Sequence, residues 1–334
     1  MQNIMSAIIK NNHIIDIKNR KILYELDRNS RSSSSQIGKK VGLNKSVVEY
    51  RINRLKKRGI IFRFVTVINP FKLGYNCFRI YLKFKHTSPE IEKNIINHFV
   101  DNETTFWVAT IEGRYDLSVI IWVKYLSEFY MFWKNTLKKY RIYFDKQIVS
   151  IYYQLSSYPY YFLIQNNRID EKAEYVIGSD KPTIIENLEF RLLQLLASNS
   201  RIPITSIARQ LNTTTTIVNY RIKKLIKMGI INGFRIAINH LKLGYNYFKI
   251  DINLDEYQKI DHIINYIKPH PNLFYIDTTV GFSDLELSFY LNNTGQLHEI
   301  MGDIIEEFPN CIRNYEHFRF IWGYKVRYFP ALHE

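Results

Sequence analysis

Apolar positions along the first sixty residues recur at helical spacing. In "IIDIKNRKILYELD" (14–27), Ile15, Ile22, Leu23 and Leu26 share one stripe, with charged residues between them. The serines of "SSSSQIGKKVG" can cap a short helix that stops at Gly42. Asn44, a good N-cap, then opens a third helix in which Val48, Ile52 and Leu55 recur until Gly59 ends it. A short helix, a tight turn ("VGLN") and a second helix make a helix-turn-helix. After Gly59 the period changes: "IIFRFVTVIN" is β-branched and alternating, and reads as a β wing against the helices.

From about 77 to 155 the pattern predicts strand ("CFRIYLKFK"), helix ("SPEIEKNIINHFV") and strand ("TTFWVATIE"), then a turn at Gly113. Strand ("YDLSVIIWVK"), helix ("LSEFYMFWKNTLKKY") and strand ("KQIVSIYYQL") complete a βαββαβ, ferredoxin-like order. Helices cover one face of such a sheet. Leu117, Val119 and Ile121 form an aliphatic set that should meet them, as should Leu285, Leu287 and Phe289. Ser118, Ile120 and Trp122, like Glu286, Ser288 and Tyr290, would lie on the other face, which invites a partner sheet or a ligand.

The whole pattern runs twice. "YRINRLKKRGI" (50–60) returns as "YRIKKLIKMGI" (220–230), identical at seven positions. At the same offset of 170, "NSR" (29–31) returns at 199–201 and "KLGYN" (72–76) at 242–246; "GRYDL" (113–117) returns at an offset of 168 as "GFSDL". Ordered landmarks at near-constant spacing mark a tandem duplication. The expected fold is α+β, two copies of a winged helix-turn-helix followed by a ferredoxin-like domain. The expected units are 11–69, 70–155, a linker at 156–181, 182–239 and 240–334. Sheet faces duplicated in one chain should pair intramolecularly as a pseudo-dimer.

Charge narrows the use of this unit. Lys and Arg number 46 against 31 acidic residues, giving net +15, which suits a polyanion such as nucleic acid. The lone, well-separated Cys77 and Cys311 offer neither a zinc ribbon nor a disulfide framework. No apolar run approaches the ~20 residues of a spanning helix. The N-terminus lacks a basic region before a short apolar run, and the reading is cytoplasmic, without membrane contact.

The basic excess concentrates on the third helix of each copy. Outside its apolar stripe, the first offers Lys45, Ser46, Tyr50, Arg51, Arg54 and Lys57, with Glu49 as its only acid. The second offers Thr214, Thr215, Tyr220, Arg221, Lys224 and Lys227 and no acid. Arg and Lys can neutralise phosphates, while Ser, Thr, Tyr and Arg near the N-terminal half can reach base edges in a major groove. The plain alternative is a solvated basic face without a partner.

Helix-turn-helix, "RIxxLxxxGII", wing, "LGY" and a βαββαβ containing "GxxDL" together resemble the Lrp/AsnC (feast/famine) transcription regulators, over nearly the whole chain and twice. Members are similar to one half of it, dimerise through their C-terminal sheets, often assemble further and respond to amino acids. The resemblance implies a regulator that binds double-stranded DNA as a fused pseudo-dimer, alone or in a higher homo-oligomer. It also implies an effector region at Gly113 and Asp116 and at Gly281 and Asp284. An aspartate at a strand start needs a partner, and a backbone N–H in the turn serves as well as an effector's amine.

Two alternatives stand beside this reading. Sirohaem decarboxylases resemble the same two-domain unit, with His and Arg doing chemistry at the sheet interface. Here His86, His240 and His317 do not recur between copies, and they read as surface or loop imidazoles. The other alternative is an architectural protein that coats DNA irrespective of sequence. No phosphate-cradling glycine loop, HExxH or nucleophile elbow is present, so no catalytic residue, cofactor or metal is assigned.

Overall fold

The computed structural model describes residues 15–164, 174–178, 181–327 and 329. Residues 11–14 of the expected first unit, 165–173 and 179–180 of the expected linker, and 328 and 330–334 of the last unit lie outside them.

Helices α1 (Ile17–Arg28), α2 (Ser34–Val41) and α3 (Lys45–Lys57) form the first three-helix unit. Its boundaries follow from its caps. Ser33 and Gln36 make a reciprocal capping box at α2, and Gly42 closes that helix in the left-handed region at φ 68°. The Oδ1 of Asn44 accepts from the Val47 N–H at 2.9 Å to start α3. Ile22, Leu23, Leu26, Val48, Ile52 and Leu55 are all buried, as their spacing predicts. Helices α6 (Asn187–Ser198), α7 (Ile204–Gln210) and α8 (Thr215–Lys227) repeat the unit, with β6 (Tyr175–Gly178) before them.

The wings do not serve their own copies alone. Strand β1 (Ile61–Ile68) pairs antiparallel with β7 (Ile231–Ile238), with Ile61 opposite Ile238. The helices of each copy then pack on the other copy's wing: Ile236 and Ile238 join the first helical core, and Ile68 joins the second. A pseudo-two-fold axis passes between Ser30 and Ser200, whose hydroxyls meet at 2.6 Å. Ser30 N–H donates to Phe234 O at 2.8 Å, and Ser200 N–H to Phe64 O at 3.1 Å. Arg31 and Arg201 reciprocally donate to the Ser200 and Ser30 carbonyls. The repeated "NSR" is therefore the point where the halves meet.

The βαββαβ reading holds in both halves. The first has β2 (Asn76–Phe84), α4 (Pro89–Asp101), β3 (Thr105–Gly113), β4 (Leu117–Val123), α5 (Leu126–Tyr140) and β5 (Phe144–Ser157). The second has β8 (Asn246–Leu254), α9 (Ile260–Ile267), β9 (Leu273–Val280), β10 (Leu285–Leu291), α10 (Thr294–Glu307) and β11 (Ile312–Val326). Within each half the strand order is the ferredoxin one, β5-β2-β4-β3 and β11-β8-β10-β9. β3 pairs with β11 and β9 pairs with β5, so both pairs of edges join and eight antiparallel strands close into a barrel. Closure pairs the β3 and β9 edges with the long last strand of the other half. The aliphatic sets face outward under the helices, Leu117, Val119 and Ile121 against Phe99 and Phe129, and Leu285, Leu287 and Phe289 against Leu297 and Met301.

The span 156–181, expected to be a linker, is more than a spacer among its described residues. Tyr160, Tyr161, Phe162 and Leu163 are buried in the first helical core, and β6 pairs with the end of β5. Its aromatic content is the reason: "YPYYF" carries too much apolar area to remain in water.

Candidate nucleic-acid interface

Both third helices present their polar sides outward. Tyr50 and Tyr220 are 64% and 62% exposed, so both rings are open to a partner. Lys45, Ser46, Arg54 and Lys57 are exposed on α3, and Thr214, Thr215 and Lys227 on α8. Lys45 lies 3.8 Å from Glu49 one turn on, a solvated pair that can open at little cost. Ser46 turns its hydroxyl to Asn44 Oδ1 at 2.9 Å. Thr214 is the α8 N-cap, accepting from the Ile217 N–H at 3.3 Å, which ties its oxygen to the helix start.

Three predicted contacts are engaged inside the protein. Arg51 reaches back to α1, donating to Asp16 Oδ2 at 2.6 Å and Asn19 Oδ1 at 3.1 Å. Arg221, at the matching place, donates to Glu186 at 2.7 Å and Glu189 at 2.9 Å, and Lys224 meets Glu189 at 2.8 Å. These side chains leave α3 and α8 on the sides facing α1 and α6. Acids at the starts of those helices hold them against α1 and α6.

The C-terminal end of α3 is supported by the other copy. Gly59 and Gly229 adopt left-handed φ of 63° and 67°. Lys242 of the second copy donates from Nζ to the Arg58 carbonyl at 2.7 Å, completing the end of α3.

The hairpin aspartates have backbone partners. Asp116 Oδ2 accepts from the Phe84 N–H and Asp284 Oδ2 from the Leu254 N–H, each at 2.7 Å, and Lys83 Nζ sits 2.7 Å from Asp116 Oδ1. Both therefore finish the neighbouring strand's hydrogen bonding. Gly113 (φ 147°) lies at the seam, where a Cβ would stand 2.8 Å from the His317 carbonyl oxygen. Gly281 makes the matching turn at φ 100°.

The barrel interior carries chemistry that the sequence reading passed over, Glu286 aside. Arg79 forms a two-armed ion pair with Glu286 and donates to Tyr152 Oη at 3.1 Å. Lys249 pairs with Asp277 and lies 2.6 Å from Glu286. Thr279 and Ser283 hydroxyls donate to the Glu286 carboxylate at 2.8 and 3.1 Å. Burial would raise the Glu286 carboxyl, but Arg79 and Lys249 outweigh it and hold it well below the usual range. Asp251, near this cluster without an equal cationic partner, is pushed up to about 7 by burial first and by Glu286 next. The available signal was a charge within an apolar strand, as in "CFRIYLKF" and "YFKIDINL".

Two winged helix-turn-helix units joined about a pseudo-axis, with basic helices outward, define a DNA-binding protein class. A winged helix-turn-helix DNA-binding family model matches residues 15–61 and 185–232. An uncharacterized HTH-type transcriptional regulator of Pyrococcus abyssi is 32% identical over 132 residues, covering 40% of this chain and 87% of that protein. HTH-type transcriptional regulator LrpA of Pyrococcus horikoshii is 40% identical over 63 residues, 19% of this chain and 45% of that protein. One such regulator thus corresponds to one half of this sequence. Over the whole chain, the fold matches the siroheme decarboxylase NirDL with a TM-score of 0.63, covering 93% of both chains at 12% identity. That identity shows a shared fold alone. The chain belongs to the Lrp/AsnC family of HTH-type transcriptional regulators, duplicated in tandem.

Proposed function

We propose that this chain is a sequence-specific transcriptional regulator that binds double-stranded DNA as a fused pseudo-dimer, with α3 and α8 as its two reading helices. The observation that carries the reading is the pair of exposed basic helices on units locked together by β1–β7 pairing and the Ser30–Ser200 contact. Exposed Arg54, Lys57 and Lys227 serve phosphates; Tyr50, Tyr220, Lys45 and Thr215 serve bases. An amino acid or related small molecule acting at the Gly113–Asp116 and Gly281–Asp284 hairpins belongs to the same family reading. Asp116→Asn and Asp284→Asn should then remove an amino-acid effect on DNA binding and leave effector-free affinity intact.

Gel-shift competition of a selected site against random DNA tests the central claim. Selected DNA should outcompete random DNA by at least about 10³-fold. Equal competition would favour an architectural coat. A Soret-band shift on titrating sirohaem, with no DNA preference, would favour the enzyme reading.

A further inference from the structure

The two cations inside the barrel are mates under the repeat: Arg79 of β2 stands 170 residues before Lys249 of β8. The carboxylates around them have no acidic mates. Tyr81 stands where Asp251 does in the second copy. In the following strands the offset is 168, so Ala109 matches Asp277 and Ser118 matches Glu286. Cross-strand pairing supports this alignment, with Ala109 opposite Ser118 and Asp277 opposite Glu286. The first sheet thus brings Arg79 and no acid to this cluster, while the second brings Lys249 with Asp251, Asp277 and Glu286, all five side chains buried.

A buried charge is tolerated only beside groups that neutralise it. Two first sheets closed on each other would bury a pair of guanidiniums without a carboxylate. Two second sheets would crowd both sets of carboxylates around two ammoniums. Closing unlike sheets alone sets Arg79 on Glu286 and leaves Lys249 on Asp277 and Glu286. The winged units repeat the logic on one side of the pseudo-axis. Arg235 donates twice to Asp27, at 2.8 Å each, and to the Tyr158 carbonyl at 2.7 Å. Their mates at an offset of 170 are Val65 and Ala197, both buried and apolar.

We propose that these buried charges are a pairing code: each sheet accepts only the unlike sheet as its partner, so the halves of this chain do not close on like halves of another. The partner that the second sheet selects carries one buried cation at the Arg79 position and neutral residues (Tyr81, Ala109 and Ser118) where the second sheet has its acids. Nothing in the code depends on the DNA reading.

Charge reversal in the full-length chain tests it. Arg79→Glu sets a fourth carboxylate beside Lys249, and Glu286→Arg sets a third cation beside Arg79 and Lys249. Each single variant should lose the wild-type unfolding midpoint and its single species in native mass spectrometry. Arg79→Glu/Glu286→Arg in one chain should recover both, because opposite charges again meet. The two single variants, differently tagged, unfolded together and refolded, should yield a one-to-one heterodimer in which each chain's first sheet closes on the other's second. A double variant as unstable as the singles would overturn the code. So would a wild-type midpoint for Arg79→Glu, or homodimers forming as readily as the heterodimer.

Discussion

At the residue scale, the buried acids set the response to pH. Asp251 is 4% exposed, and its carboxyl, pushed up to about 7, binds a proton more tightly when folded than the ~3.9 of an unfolded chain allows. Its contribution to stability is therefore complete below about pH 4 and is lost as pH rises through about 7. Glu286 works the other way, contributing above its ordinary range and losing that contribution only in strong acid. Asp251→Asn should flatten the fall in unfolding midpoint between about pH 4 and 7, an effect of up to roughly 4 kcal/mol in the wild type. Thermal unfolding against pH reads this, and an unchanged slope in the variant would refute the assignment. The hairpin aspartates give a second expectation. Asp284→Ala leaves the Leu254 N–H without its acceptor and should cost roughly 1–3 kcal/mol in chemical denaturation. Asp116→Ala also strands Lys83, which is half-exposed and adds little.

At the element scale, α3 separates into an exposed basic side, proposed to meet DNA, and a side held against α1. Arg54→Ala and Lys57→Ala should weaken binding to all DNA sequences alike, each lowering the salt slope by about 1. Arg51→Ala should instead release α3 from Asp16 and Asn19, costing roughly 1 kcal/mol of stability with the salt slope intact. Fluorescence anisotropy at several salt concentrations, beside urea melts, distinguishes them. A lowered slope in Arg51→Ala would return that residue to the interface.

At the scale of the whole molecule, fusion removes an equality that a homodimer cannot escape. Lys45, Ser46 and Val47 stand where Thr215, Thr216 and Ile217 stand in the second copy, while Tyr50 and Tyr220 are shared. Lysine reaches guanine O6 and N7, whereas threonine suits the thymine methyl group. The preferred operator should therefore hold two unlike half-sites, spaced by about one helical turn or a multiple of it. Replacing either half-site with a copy of the other should cost roughly 1–3 kcal/mol for each base pair misread. Selection from random DNA decides this, and recovery of a perfect palindrome would show that the two helices read alike.

The sequence by itself determined the helices and strands of the winged and ferredoxin-like units. Helical stripes, the Asn44 cap, Gly42 and Gly59, and the alternation in β4 and β10 act within a few residues, so their consequences are visible in a short window. The duplication was equally legible, because identical landmarks need no geometry to be matched. What only the tertiary structure decided lies between residues far apart in the chain. Whether Arg51 meets a phosphate or Asp16 depends on where α1 crosses α3, which no spacing encodes. The wings pair across the copies, the connecting aromatics enter the first core, and Arg79 finds Glu286 across 207 residues. In sequence such a charge is an oddity within an apolar strand. Once the barrel closes and water is excluded, its partner becomes a requirement, and that requirement fixes which halves belong together.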